Sequence, residues 1–266
     1  MARRLVLITG ASAGIGAAFA RIYAQHGYDV ALTARRTDRL EKLAGEVSLG
    51  SGVETLTIAA DLARPGAVDD ILAAVTAHGR EVDAVVNNAG YGHPGTYSTT
   101  TWEDQQAFLQ VLLMSVCEMS HKVLPGMIER RFGRIVNVAS LAGLVPGSIG
   151  HTLYGATKGF LVKFSQSLHL ENLQTGVHVT ALCPGFTYSE FHDVNDTREQ
   201  ISGSTPSWMW MGADEVAAIG YEAAEANRPV CVTGAPNKAI AAVAKVIPDD
   251  WALALMAGQS GKFRKT

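Results

Sequence analysis

Short runs rich in Val, Ile and Leu alternate along the chain with longer stretches in which apolar residues recur every three or four positions. The runs at 5–9, 29–33, 54–58, 83–87, 134–138, 178–182 and 230–232 show no polar alternation, which predicts strands buried on both faces. Helical periodicity marks 15–26, 37–47, 67–78, 102–131, 154–173 and 214–226. Thr101, three residues before Asp104, has the look of a capping box opening the long fourth helix. Strand and helix in repeated alternation predict an α/β protein, a parallel sheet with helices on both faces.

Two stretches break this rhythm. Residues 184–212 are too long for an ordinary connection, and 186–212 are read as a lid over a binding site. The tail, 236–266, is apolar and then basic, and is read as a C-terminal extension. The 266 residues suit one large α/β domain spanning 1–266. No run of 18 apolar residues exists, so no membrane span or membrane association is expected. The first apolar run, 5–9, is too short for a signal-peptide core. A net charge of -3 gives no reason to expect nucleic acid. Cys117, Cys183 and Cys231 are widely spaced, which suits a reduced compartment. A cytoplasmic location is the expectation, and no His/Cys/Asp cluster has metal-ligand spacing, so no metal is expected.

The chemistry begins at the first turn. Strand one runs into Gly10-Ala11-Ser12-Ala13-Gly14-Ile15-Gly16 and then a helix. Glycine at this spacing permits a tight turn and close approach of backbone to a pyrophosphate. The helix start offers free N–H groups and a favourable dipole to that anion. At the end of strand two an acidic residue would bind the ribose 2′-hydroxyl of NAD. This chain has Arg35 and Arg36 there, two guanidiniums suited to gripping a 2′-phosphate, so NADP (NADPH) is favoured over NAD. Asp61 and Leu62 follow strand three, where a side chain can meet the adenine. Asn87-Asn88-Ala89-Gly90 follows strand four, a small turn that lets backbone pass close to a ligand. Strand-end hydrogen bonding is the other reading of it.

Tyr154 and Lys158 stand four apart in a helical pattern and so share a face. A free phenol titrates near ~10, too high for neutral acid/base work. The expectation is that the lysine one turn away, helped by an oxidised nicotinamide, lowers it. The phenol can then give a proton to a carbonyl or take one from an alcohol. Ser140, at the end of strand five, can donate to the same oxygen.

Gly10–Gly16, Asp61, Asn87–Gly90, Ser140, Tyr154, Lys158 and Pro184-Gly185 together, in this order, resemble the short-chain dehydrogenase/reductase family over about residues 4–232. The resemblance implies a doubly wound Rossmann fold with a seven-stranded parallel sheet in the order 3-2-1-4-5-6-7. It implies Ser140, Tyr154 and Lys158 as the catalytic residues, with Tyr154 and Lys158 also against the cofactor. It implies that Pro184, Gly185, Phe186 and Thr187 line the nicotinamide, with Ser189 near a position where the family often has threonine. Two departures stand out. The family's asparagine about thirteen residues before Pro125 is replaced by Leu112 or Leu113, with Ser115 a turn away as a substitute. The gap from Ser140 to Tyr154 is also one residue longer than the commonest. Either the proton path runs through a backbone carbonyl and water instead, or turnover is slow.

The lid segment carries Phe186, Tyr188, Phe191, His192, Trp208, Met209, Trp210 and Met211, and Arg198 is its one basic residue besides histidine. Such a wall suits a hydrophobic ketone, aldehyde or alcohol, although the aromatics can equally pack the lid onto the core. Candidate substrate residues are His93, Leu141, His151, Phe186, Tyr188 and Trp208. The family resemblance implies a homodimer or homotetramer, and Phe160, Phe164 and Leu168 lie on the outer face of their helix. The expected activity is NADPH-dependent interconversion of a carbonyl and its alcohol. The rival is a weakly catalytic or non-catalytic dinucleotide-binding protein acting as a sensor or scaffold, which the missing asparagine favours.

Overall fold

The computed structural model describes residues 3–92, 95–189 and 206–263. Seven strands form one parallel sheet: β1 (Leu5–Thr9), β2 (Asp29–Ala34), β3 (Thr55–Ala59), β4 (Ala84–Asn87), β5 (Gly133–Val138), β6 (Val177–Cys183) and β9 (Val230–Val232). Their order is β3-β2-β1-β4-β5-β6-β9, the order the family resemblance implies, with β9 as the seventh strand. Strands β1, β4 and β5 are buried along their whole length, as unalternating apolar runs require.

Helices α1 (Gly14–Gln25), α2 (Thr37–Ser51) and α7 (Ala213–Glu225) cover one face. Their core is Phe19, Tyr23, Leu40, Leu43 and Val216 against Val6, Ile8, Val30 and Leu32. The other face packs Ile71 of α3 (Ala67–Ala77), Phe108 of α4 (Trp102–Leu109), and Met119 and Met127 of α5 (Ser115–Glu129) on Leu7, Val85 and Ile135. Leu161 and Val162 of α6 (Thr152–Glu171) complete it against Ala181 and Cys183. Reversal of strand order between β1 and β4 opens a crevice at the carboxyl ends of the strands, the ligand edge of open α/β sheets.

The fourth helix departs from the sequence expectation. It is two α-helices joined by a π-helical turn, Gln110–Met114. Its start behaves as expected: the Thr101 hydroxyl accepts from the Asp104 N–H at 3.2 Å and donates to the Asp104 carboxylate at 2.8 Å. By length and composition, 102–129 is the one helix among the described residues apolar enough to cross a membrane, and 44% of its apolar window is buried. Within residues 184–212, β7 (Thr187–Tyr188) pairs in parallel with β8 (Met211–Gly212), so both ends of the segment are tied together. Past β9 the chain forms α8 (Ala235–Val243) and α9 (Asp249–Phe263).

Candidate active site

The turn after β1 is built by Thr9. Its hydroxyl donates to the Val86 carbonyl and accepts from the N–H groups of Asn88 and Ala89 at 3.0 Å each. Asn88 returns the tie: its Nδ2 donates to the carbonyls of Thr9 and Gly10. The carboxamide of Asn88 is therefore spent on holding the glycine turn, and Gly90, two residues on, is exposed. Gly10 has φ +65°, and a Cβ there would lie 2.8 Å from Ala89 Cα. A Cβ on Gly16 would lie 2.5 Å from the Gly10 carbonyl oxygen, so the turn and the first turn of α1 touch with no room for a side chain. Gly14 has φ +56° and faces Ser189.

These residues fit a dinucleotide. The start of α1, after Ala13, carries no capping side chain and no acid in its first turn, so its N–H groups and dipole remain for an anion. At the end of β2, Arg36 donates to the Ser12 hydroxyl at 2.9 Å, which plants one guanidinium beside the glycine turn. Arg35 is exposed and has no hydrogen-bond or ion-pair partner among the described residues. Asp61 is exposed, with one carboxylate oxygen accepting from Ala63 N at 3.0 Å, and Leu62 beside it is buried. Asn87 is a strand-end structural residue. Its Nδ2 donates to Asn137 Oδ1 at 2.8 Å, and Asn137 in turn donates to the Ser165 hydroxyl at 2.9 Å. That buried chain ties β4 and β5 to α6, the helix that carries Tyr154 and Lys158.

Ser140, Tyr154 and Lys158 converge at the ends of β5 and β6. Ser140 accepts from Ala142 N at 3.1 Å and hydrogen-bonds the Tyr154 phenol. Burial pushes the Tyr154 phenol above its ordinary value, and the Ser140 bond pulls the other way. Lys158 is 5% exposed, and its Nζ donates to the Val138 carbonyl at 2.6 Å. Burial lowers its ammonium to about 8. The expected lowering of the phenol by Lys158 is not what sets it in this geometry. Nζ stands 5.7 Å from the ring centroid and desolvation dominates both groups.

Pro184 joins the same assembly, because its carbonyl accepts from Leu141 N at 2.9 Å. Leu112, in the π-helical turn, is buried in the apolar cluster on which Leu153 and Tyr154 pack. It is one of the two leucines, with Leu113, at which the resemblance expects an asparagine. Ser115 does not substitute for that asparagine: its hydroxyl donates to the Val111 carbonyl at 2.7 Å within its own helix. A backbone carbonyl, that of Val138, is the group found on Lys158.

Gly143 is a residue that sequence reasoning missed. A Cβ on it would lie 2.5 Å from the backbone carbon of Lys158 and 2.6 Å from its carbonyl oxygen. The Ser140 turn is thus seated directly on the α6 backbone, and the clue was Gly143 paired with Gly159 inside a helix. Gly143→Val is expected to push Ser140 off Tyr154 and lower kcat by about 10²-fold or more, since a shift near 1 Å costs that much. Steady-state kinetics beside a thermal melt checks this, and an unchanged kcat contradicts it.

The substrate candidates separate in space. A pocket beside Tyr154 is lined by Tyr97, Thr100, Gln105, His151 and Leu153. Of the described candidates only His151 lies in it, its ring edge-on to Tyr154 at 6.0 Å. Leu141 is half-buried beside Ser140. Phe186 and Tyr188 pack on Trp210, with centroids 5.4 Å and 4.9 Å apart. Trp208 is 65% exposed and lines a different cavity, with Glu215 and Asn237. His93, Phe191, His192 and Arg198 lie outside the described residues. Tyr97 and Thr100, in the segment before α4, and Gln105, at the start of α4, were missed because that stretch carries no motif. The three cysteines are free thiols.

The chain is similar to known proteins along most of its length. The short chain dehydrogenase family profile matches residues 4–200. The NADP-dependent 3-hydroxy acid dehydrogenase of Salmonella typhi is 34% identical over 234 residues, covering 87% of this chain and 86% of that one. The very-long-chain 3-oxoacyl-CoA reductase of Anas platyrhynchos is 36% identical over 195 residues, 71% of this chain but only 61% of that protein's length. Among solved structures, a short-chain dehydrogenase from Sphingobium yanoikuyae in complex with NADPH superposes with a TM-score of 0.79 at 29% identity, covering 92% of this chain and 96% of that one. The chain belongs to the short-chain dehydrogenase/reductase family of oxidoreductases.

Proposed function

We propose that this protein is an NADP(H)-dependent reductase of hydrophobic ketones or aldehydes, with Tyr154 as its acid/base. One observation carries the reading. Ser140, Tyr154 and Lys158 meet past the carboxyl end of β5, at the same edge of the sheet as the glycine turn after β1, while the end of β2 offers Arg35 and Arg36 and no carboxylate. The NADP dependence of the Salmonella relative and the NADPH complex of the Sphingobium structure support the same cofactor. Gly10, Ser12, Ala13, Gly14, Ile15 and Gly16 would hold its pyrophosphate, Arg35 and Arg36 its 2′-phosphate, and Asp61 and Leu62 its adenine. Ala89, Gly90 and Pro184–Thr187 would flank the nicotinamide end. When bound, NADPH supplies the hydride.

The chain's own residues handle the proton. Ser140 orients the phenol and shares the developing charge on the substrate oxygen, and Tyr154 delivers its proton there. Lys158 keeps a positive charge beneath both, with the Val138 carbonyl holding it in place. Phe186, Tyr188 and Trp210 form an apolar wall for the substrate. A homo-oligomer seated on α6 belongs to the same reading, since Phe160 is 41% and Leu170 65% exposed there. Light scattering of the purified protein tests that part.

The test of the activity is NADPH oxidation with bulky apolar ketones beside small charged keto acids. Turnover confined to the charged compounds contradicts the apolar reading. Leu112 favours the rival, a dinucleotide sensor or scaffold, and NADPH binding without turnover of any carbonyl would establish that instead.

A pH dependence follows from Lys158. Its ammonium persists below about 8 and is lost above, while Tyr154 stays a phenol well past that point. For carbonyl reduction, kcat/KM is expected to be level on the acid side and to fall as pH rises through about 8. In Lys158→Arg, whose charge persists to above ~12, the fall moves out of the measurable range. A wild-type profile level to about pH 10 contradicts the assignment.

A further inference from the structure

The described C-terminal helices lie beyond the residues that the family profile matches, yet one side chain of theirs reaches the cofactor edge. Asn237, in the first turn of α8, is 2% exposed. Its carboxamide lies flat against Gly185: a Cβ there would come within 2.4 Å of Asn237 Nδ2 and 2.5 Å of Oδ1. The group is locked from behind. Nδ2 donates to the Thr233 carbonyl at 2.8 Å, which fixes which end of the amide is nitrogen. Thr233 N in turn donates to the Cys183 carbonyl at 3.3 Å, one residue before Pro184. Gly234, at φ +78°, makes the turn that brings α8 under this loop. On the opposite side, Leu141 N holds the Pro184 carbonyl. Pro184-Gly185 is therefore clamped between the Ser140 turn and Asn237.

Space filling alone does not explain an asparagine here. Among the described residues its Oδ1 is buried without a hydrogen-bond partner, which a leucine of similar size would avoid. A planar amide, though, lets the Gly185 backbone approach more closely than a branched tetrahedral carbon would.

We propose that Asn237 is a positioning residue that sets the distance between the Pro184–Thr187 loop and the Ser140 turn, and through it the fit of the nicotinamide end of the cofactor. The inference rests on the reading of that loop as the nicotinamide wall. The experiment is a double-mutant cycle on the full chain: wild type, Gly185→Ala, Asn237→Ala and both together, with Asn237→Leu as a same-size control. Two readouts are taken, NADPH affinity by titration calorimetry and melting temperature without added cofactor.

Asn237→Leu is expected to weaken NADPH by about tenfold, and Gly185→Ala by about thirtyfold or more, because a small displacement is costly in a preorganised site. In the double variant the smaller alanine makes room for the new methyl, so affinity returns to within about threefold of Asn237→Ala alone. Melting temperatures should show the same rescue. Losses that simply multiply overturn the proposal, as does Asn237→Leu binding NADPH like wild type while melting earlier. A wild-type chain that does not bind NADPH overturns the cofactor reading instead, and the melting cycle still reports whether residues 185 and 237 act as one.

Discussion

Tyr154→Phe is expected to reduce kcat for carbonyl reduction by about 10²–10⁴-fold while leaving NADPH affinity within about twofold of wild type. That range is about 3–5 kcal/mol of barrier. The substitution removes one oxygen and nothing else. The ring keeps its edge-on contact with His151 and its place on the cluster around Leu112. Ser140 loses a partner but keeps its bond from Ala142 N, so the turn stays capped. If phenol and serine act on one substrate oxygen, as proposed, Ser140→Ala on top of Tyr154→Phe should cost far less than Ser140→Ala alone. Stopped-flow hydride transfer with a ketone, beside NADPH titration, separates the outcomes. Turnover that survives Tyr154→Phe would remove the phenol from the chemistry. A loss of NADPH affinity equal to the loss of kcat would mean that the ring supports binding rather than proton transfer.

Reversing the charge of Arg35 is expected to have the next largest effect, on cofactor choice. Each charge-assisted hydrogen bond to a phosphate contributes about 1.5–3 kcal/mol, or about 10- to 100-fold in affinity. Arg35→Asp removes such a contact and sets a carboxylate against the 2′-phosphate. NADPH should weaken by more than about 10²-fold and NADH by less than about threefold. Arg36→Ala should do less, because that guanidinium is already engaged with the Ser12 hydroxyl. Added salt should erode the wild-type preference for NADPH, since Arg35 is exposed and its attraction is screened. Equal weakening of both cofactors would place Arg35 outside the 2′-phosphate site.

Much of this architecture was legible because burial on both faces leaves a blunt signature. Runs such as 84–87 and 134–138 show no regular polar alternation, and the structure places them in the centre of the sheet with even Asn87, Arg134 and Asn137 buried. The glycine turn, Ser140 and the Tyr154–Lys158 pair were legible because backbone proximity and proton transfer admit few residue types. Other features left no such trace. A π-helical turn has nearly the side-chain rhythm of an α-helix over five residues, so Gln110–Met114 read as continuous helix. Tyr97 and Thr100 reach the Tyr154 pocket through the turn before α4, and Gln105 from the first turn of that helix. Gly143 and Asn237 matter through contacts with residues 15 and 52 positions away, which no local pattern records. The effect of burial on Lys158 also needed coordinates, since sequence shows its spacing from Tyr154 but not how little water reaches it.

The short parallel ladder Thr187↔Met211 and Tyr188↔Gly212 has a consequence for how this protein can diversify. By pairing the two feet of the segment, it fixes the end-to-end distance for any hoop of chain placed between them. Doubling the length of such a hoop costs only about 0.6 kcal/mol in closure entropy. The stretch between the feet can therefore be rewritten, lengthened or shortened while Phe186 and Met211 stay bonded at 3.0 Å. Under the proposed function, changes there are expected to alter which carbonyl compound is preferred while leaving hydride transfer itself unchanged.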